Sequence, residues 1–445
     1  MDNMTHSLVG LALGELVDRA LPASADPARG RTRRRALLIT GLLASNFPDL
    51  DLVLTPLLPA PLGYLIHHRG HTHTLLYALP QVVLLLALTW LLWPAARRLL
   101  REDRSARQAV IATALLGMVL HLSFDGLNVY GVHPFHPFDS RWLYGDLVFI
   151  VEPVFWTALG FALALLARRA ILRWLGLAFF AAMPVLFTWI GFLQWGSLAG
   201  LAGVALLVAG ANLKLGARAG LVTALLACAG FVGIQAVAGQ LARGEIRTAL
   251  ERVAPGSRVL DIPLSSFPAN PVCWSFATVS AGPAAGSYGV RVGVLSLAPG
   301  LSPVWACPER FGGVTDSATD ADVSPGASPA ARDRQGPQTS SAAAAAQALP
   351  RATAALAWKF SETGSLADFR TLQRTNCHFD AWLRFARVPS LAGGIATDIR
   401  FGAPDQPNFS TLPYAARAAE PCPAPLADWG YPRADLLGWK GQQRR

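Results

Sequence analysis

LIHHRGHTHTLLYALPQVVLLLALTWLLW, Leu65–Trp93, sets four histidines and an arginine directly against an uncharged apolar run. As a helix, the part from Leu75 to Trp93 would be about 28 Å long, close to the roughly 30 Å hydrocarbon core of a bilayer. It therefore reads as a transmembrane helix, with His67, His68, His71 and His73 at its mouth. A chain this poor in charge does not place so many ionisable groups there without a use for them.

Working outward, apolar runs of similar character cover about 36–56, 109–124, 147–167, 174–193, 198–213 and 219–238. A first run, 4–17, is shorter and reads as a short or re-entrant segment. With 52% hydrophobic and 15% charged residues and a mean hydropathy of +0.36, a soluble single domain is disfavoured. The fold class expected is an all-α polytopic membrane domain of seven or eight segments, 1–240, followed by a small β-rich extracytoplasmic domain, 241–445. The N-terminus lacks the basic region of a cleavable signal, and the first run carries Glu15 and Asp18, so it is taken as part of the mature fold.

The net charge of +10 records orientation rather than a nucleic-acid partner, and none is expected. Arg19, Arg29, Arg31, Arg33, Arg34 and Arg35 follow the first segment, Arg97, Arg98, Arg101, Arg104 and Arg107 the third. Arg168, Arg169, Arg173, Lys214 and Arg218 continue on that side, while the alternate loops hold only Arg69 and Arg141. This bias puts the N-terminus, the histidine loop and the tail outside the cytoplasm. Cys273, Cys307, Cys377 and Cys422 all lie in the tail, an even number that permits two disulfides with three possible pairings, as an oxidising compartment would allow.

Within the tail, RVLDIPLSSF, CWSFATVSA, SYGVRVGVLSL and AWLRFARV read as strands, with AGPAAGS a hairpin between two of them. Residues 312–350, rich in Ala, Ser, Pro and Asp, read as a disordered insertion. Trp142, Tyr144, Trp156, Trp189 and Trp195 read as an interfacial belt.

Every histidine except His378 precedes residue 137. Ionisable groups at membrane depth are costly unless paired, hydrated or metal-bound, which makes each a functional suspect. Asp49 and Asp51 fall about 20 Å along the second segment, His73 opens the third, His121 and Asp125 close the fourth, and Glu152 sits early in the fifth. All come to one depth. In HLSFD, His121 and Asp125 are spaced to share a helix face. Imidazoles mixed with carboxylates suit zinc or a similar ion better than calcium or magnesium, and Arg69 can clamp an anionic oxygen. The bland readings are a helix cap for Asp49 after Asn46-Phe47-Pro48, a turn for Asp139, and an ordinary core or surface place for His378.

The motifs M-T-H (Met4–His6), P-D-L-D (Pro48–Asp51), H-R-G-x-T-H-T (His68–Thr74), H-x-x-x-D (His121–Asp125), G-V-H-P-F (Gly131–Phe135) and E-P (Glu152-Pro153) resemble the YdjM-like family of inner-membrane, metal-dependent hydrolases. The resemblance covers about the first 160 residues. It implies a bacterial inner-membrane location, a divalent cofactor, and His68, Arg69 and His73 as the matching loop positions, with His67 and His71 ranked lower. It places an acid at Glu152, where Asp is commoner. The order of motifs also resembles zinc-dependent phospholipase C and P1-type nucleases, which implies phosphoesters as substrates. The expected metal ligands are His6, Asp49, Asp51, His68, His73, His121, Asp125, His133 and Glu152. Arg69 steers the anion, and Asp49 or Asp51 is the candidate general base. The expected partners are the bilayer and a lipid or phosphoester substrate. A metal-ion transporter or metal sensor is the alternative, since intramembrane His and acids also build ion pathways.

Overall fold

The computed structural model describes residues 1–308, 349–404, 407–424 and 429–438. The insertion expected at 312–350 lies outside these residues apart from Leu349 and Pro350. The membrane part is helical: α1 (Asn3–Ala20), α2 (Pro27–Ala44), a 3-10 run (Phe47–Leu57), α3 (Leu62–His67), α4 (Leu75–Leu92), α5 (Pro94–Glu102), α6 (Arg104–Gly126), α7 (Pro153–Leu165), α8 (Ala170–Trp189), α9 (Trp195–Leu215) and α10 (Ala217–Val253). Among the described residues, six helical units are long and apolar enough to cross a bilayer: Pro27–Leu57, α4, α6, α8, α9 and α10. α7 is a shorter apolar helix. Leu84, Leu91, Leu92 and Leu206 point outward and are exposed, as lipid-facing side chains are.

α1 and α2 touch backbone to backbone. A Cβ at Gly10 would stand 2.2 Å from the Gly41 carbonyl oxygen, and one at Gly14 would stand 2.6 Å from that of Leu37. Small residues let the two helices meet this closely. Farther along, the acids of α1 are neutralised by α2, Glu15 by Arg34 at 2.8 Å and Asp18 by Arg33 at 2.9 Å. α2 stops at Ala44, and Asn46-Phe47-Pro48 turns the chain into the 3-10 run, so Asp49 and Asp51 leave the helix that the apolar run suggested.

α10 has 37 residues, about 55 Å of continuous helix. Its far end, Ala238, Ala242, Ile246 and Leu250, packs against Ile262, Leu264, Trp274 and Trp358 of the tail. The boundary drawn at 240/241 therefore falls inside one helix. The tail sheet is antiparallel, with β1 (Arg258–Asp261), β2 (Leu264–Phe267), β3 (Asn270–Ala281), β4 (Ser287–Ser296) and β5 (Leu356–Ser365) in the order β1-β3-β4-β5, β2 also pairing with β3. The AGPAAGS hairpin joins β3 to β4 as expected, with Ala281 opposite Tyr288. AWLRFARV is not a strand. After α11 (Leu366–Thr375), it begins within α12 (Cys377–Leu383), whose start is capped by Asn376 accepting from the Phe379 N–H at 3.0 Å. Phe379, Ala381, Trp382, Leu383, Phe385 and Ala386 are all buried, so the apolar cluster reflects burial on every side rather than strand alternation. A last hairpin pairs β6 (Pro389–Ala392) with β7 (Ile395–Asp398).

Of the three possible pairings the structure forms Cys273–Cys307 and Cys377–Cys422. The tail sits on the histidine-bearing face of the bundle. Leu58, Leu62, Leu65 and Ile66 share a core with Phe379, Trp382 and Phe385, and Arg387 pairs with Asp146 at 2.7 Å. This contact corrects part of the aromatic belt: Tyr144 lies under Arg387, Trp142 donates to the Gly430 carbonyl, and Trp156 donates to Asp2. Trp189 and Trp195 are exposed at helix ends, as a belt requires.

Candidate metal centre

The site assembles where the break after α2 meets α6 and the histidine loop. Each element brings its side chain inward for a local reason. In the 3-10 run Asp49 and Asp51 are buried while Leu50, Leu52 and Val53 between and beyond them are exposed. α6 presents His121 and Asp125 one turn apart on one face, as their spacing required. The loop turns back at Arg69, whose φ of 61° is a left-handed conformation rarely adopted by a non-glycine residue. That turn aims the Arg69 N–H at Asp51 Oδ2, 3.1 Å away, and brings His73 to the centre.

Asp49, His73, His121 and Asp125, all buried, converge on one point. His73 Nε2 is 3.1 Å from His121 Nε2, 3.3 Å from Asp49 Oδ1 and 3.4 Å from Asp125 Oδ2. His121 Nε2 is 3.6 Å from Asp49 Oδ1 and 3.9 Å from Asp125 Oδ2. Four ligands at 2.0–2.2 Å around a tetrahedral ion stand roughly 3.3 to 3.6 Å apart, so these separations approximate such a cage.

The tautomers agree with this reading. His121 Nδ1 is 2.7 Å from the Ser45 carbonyl, which can only accept, so Nδ1 carries the proton and Nε2 turns its lone pair inward. His73 Nδ1 lies 3.1 Å from Asp51 Oδ2, the carboxylate–histidine arrangement that orients a ligating imidazole. Asp125 Oδ2 is buried and accepts no hydrogen bond; Arg69 Nε is 3.0 Å away but poorly aligned. Two imidazole nitrogens and two carboxylate oxygens thus face one another, an arrangement that is costly without a proton or a cation between them. Burial alone would lower the His73 pKa, but the carboxylates of Asp125, Asp49 and Asp51 around the ring outweigh it and raise it to about 10. A proton on His73 partly fills the role that a metal would fill.

The remaining expected residues fall into two groups. Asp51, His68 and His73 form a second, overlapping cluster, but Asp51 is engaged on all sides, by His68 at 3.1 Å, by Thr72 at 2.6 Å and by the Arg69 N–H. His6 stacks on His121 with ring centroids 4.0 Å apart and meets Asp125 Oδ1 at 3.2 Å, the oxygen facing away from the cage. Arg69 is buried, with Nη1 bonded to the Asp125 carbonyl, Asn128 Oδ1 and the Gly131 carbonyl, and its guanidinium 5.0 Å over the Tyr130 ring.

His133 and Glu152 lie elsewhere, which corrects their expected place among the ligands. His133 is stacked on Trp429 at 4.6 Å. Glu152 caps α7, accepting from the Val154 N–H at 3.2 Å, and ties down the tail by accepting from Ala269 N–H at 3.0 Å. Glu152-Pro153 is a cap followed by proline in the first turn, a pattern as good for starting a helix as for marking a ligand. Ser45, Thr72 and Asn128 were missed. Thr72 and Asn128 sit inside or beside the motifs, but Ser45 contributes a backbone carbonyl, for which no side-chain signal exists.

Residues 1–198 match the family model described as YdjM inner membrane protein, the family that the motifs resemble. A Bacillus subtilis (strain 168) protein described as uncharacterized protein YfhP is 31% identical over 153 residues, an alignment covering 34% of this chain and 42% of the relative. No solved structure matches. The matched stretch contains every residue that builds the site, and the tail lies beyond it.

Proposed function

We propose that this chain is an integral-membrane, metal-dependent hydrolase acting on a phosphoester or other lipid-linked bond. The observation that carries this reading is the convergence of the buried His73 Nε2, His121 Nε2, Asp49 Oδ1 and Asp125 Oδ2 on one point. Two imidazoles with two carboxylates suit zinc best among common divalent ions. A cation held there would supply Lewis acidity and an activated water.

The chain's own residues do the rest. Asp51 holds the His73 ring, the Ser45 carbonyl holds the His121 ring, and Arg69 offsets the charge of Asp125. Asp49, at 7% the most exposed of the three site aspartates, lies beside the outward Leu50 and Val53 and is favoured over the fully engaged Asp51 as the group that takes a proton. A lipid-borne substrate can approach along that apolar edge. The donors sit at one depth rather than along a path, which favours hydrolysis over transport.

The test is detergent-purified protein, stripped with a chelator and reloaded with zinc. Hydrolysis of generic and lipid phosphodiesters should disappear and return, and His73→Ala and Asp125→Ala should lose bound zinc. A folded, zinc-free protein, or a zinc-loaded one that cleaves none of these esters, would count against the reading. The sidedness, with loop and tail outside, is supported by the two disulfides and by arginines at the opposite ends of α1 and α2. A periplasmic reporter fused after residue 70 should be active, and a cytoplasmic one silent.

A further inference from the structure

The two disulfides sit in different surroundings. Cys273 and Cys307 are buried in a small core with Phe267, Val294 and Val304. Cys422 is exposed and Cys377 half-buried, and both line an open, polar cleft of about 490 Å³ together with Arg374, Asn376, His378 and Glu420. His378 is 1% exposed, and its Nε2 accepts or donates no hydrogen bond. Its Nδ1 lies 3.8 Å from Cys377 Sγ, and its Nε2 lies 3.9 Å from Glu420 Oε2.

We infer that Cys377–Cys422 is a thiol-exchange site, open to a dithiol reductant through this cleft, while Cys273–Cys307 is purely structural. Exposed disulfides exchange faster than buried ones, and exchange quickens when the departing sulfur is stabilised as a thiolate. The geometry assigns each sulfur its part. A thiolate of the dithiol attacks the exposed Cys422 Sγ, the S–S bond breaks, and its electron pair leaves on Cys377 Sγ. The His378 Nδ1–H faces that sulfur and stabilises it, with Glu420 on the far side of the ring. The second thiol of the reductant gives its proton to the Cys377 thiolate, attacks the mixed disulfide and releases the Cys422 thiolate, which takes a proton from water. The dithiol leaves oxidised by two electrons, and the protein holds two thiols.

The full-length protein in detergent is treated with low concentrations of dithiothreitol, quenched by alkylation at timed intervals and mapped by peptide mass. Cys377 and Cys422 should become alkylated at least about tenfold faster than Cys273 and Cys307. In His378→Gln the opening of Cys377–Cys422 should slow roughly threefold to tenfold, while Cys273–Cys307 opens at its wild-type rate and so reports an intact tail. Equal rates for the two bonds in the wild-type protein, or the buried one opening first, would overturn the inference. So would a His378→Gln protein with an intact tail whose Cys377–Cys422 opens as fast as the wild type. Should that variant unfold, seen as rapid opening of Cys273–Cys307, the wild-type rates still decide.

Discussion

Asp51 and His133 show how differently two polar side chains from the same suspect set are used. Asp51 accepts from His68, Thr72 and the Arg69 N–H while orienting His73, so its cost of burial is met several times over. His133 has no hydrogen-bond partner for either ring nitrogen and rests between Trp429 and Trp142. Burial, with His136, His73 and His71 nearby, pushes its pKa down to about 3. An unfolded histidine titrates near 6.5, so between those values the unfolded chain binds the extra proton and stability falls as pH drops. The loss should reach about 2 kcal/mol by pH 5. Thermal unfolding at pH 7 and pH 5 should show a smaller acid shift for His133→Phe than for the wild type; equal shifts would mean that His133 is not held neutral.

At the scale of elements, regular periodicity was readable and its interruptions were less so. The i, i+4 spacing of His121 and Asp125 placed both on one face of α6, and the apolar runs located α4, α6, α8 and α9 to within about five residues but missed the start and end of α2 and the last 15 residues of α10. The 3-10 run was foreshadowed only by Asn46-Phe47-Pro48. The α1–α2 crossing rests on GLALG, Gly10–Gly14, whose two glycines meet the backbone of α2 at Gly41 and Leu37. Its importance follows from the contact distances. Gly41→Leu would drive a side chain into the Gly10 carbonyl, 2.1 Å from the position of its Cβ. We expect a loss of at least about 1–3 kcal/mol, read as a lower unfolding temperature in detergent. An unchanged melting temperature would show that the helices can part without cost.

For the whole molecule, the consequential feature is that the tail is docked on the face that carries the His/Asp cluster rather than tethered by a flexible linker. α10 runs unbroken into it, and buried charges lock it: Arg387 bridges Asp146 of the membrane part and Asp261 of β1, at 2.7 and 2.8 Å. The two carboxylates hold the Arg387 guanidinium firmly in its charged form despite burial. Removing one partner of such a group strands the others, at about 3–5 kcal/mol. Arg387→Ala should therefore raise hydrogen exchange and protease sensitivity along 129–146 and 380–400. Unaltered exchange there would show that the apolar core around Leu62 and Trp382 alone holds the tail in place.

By itself, the sequence determined the membrane class, the β-rich character of the tail and the stretch of chain that supplies the buried His/Asp cluster. These depend on local quantities: the length of an apolar run, its charge, and the spacing of residues along it. Only the tertiary structure decided that Asp49, His73, His121 and Asp125 form the inner group, that Asp51 and His68 stand behind them, and that His133 and Glu152 serve packing and capping instead. Those outcomes depend on how each helix is rotated about its axis, on the left-handed turn at Arg69, and on the irregular path between α6 and α7. None of these has a period that a sequence can display.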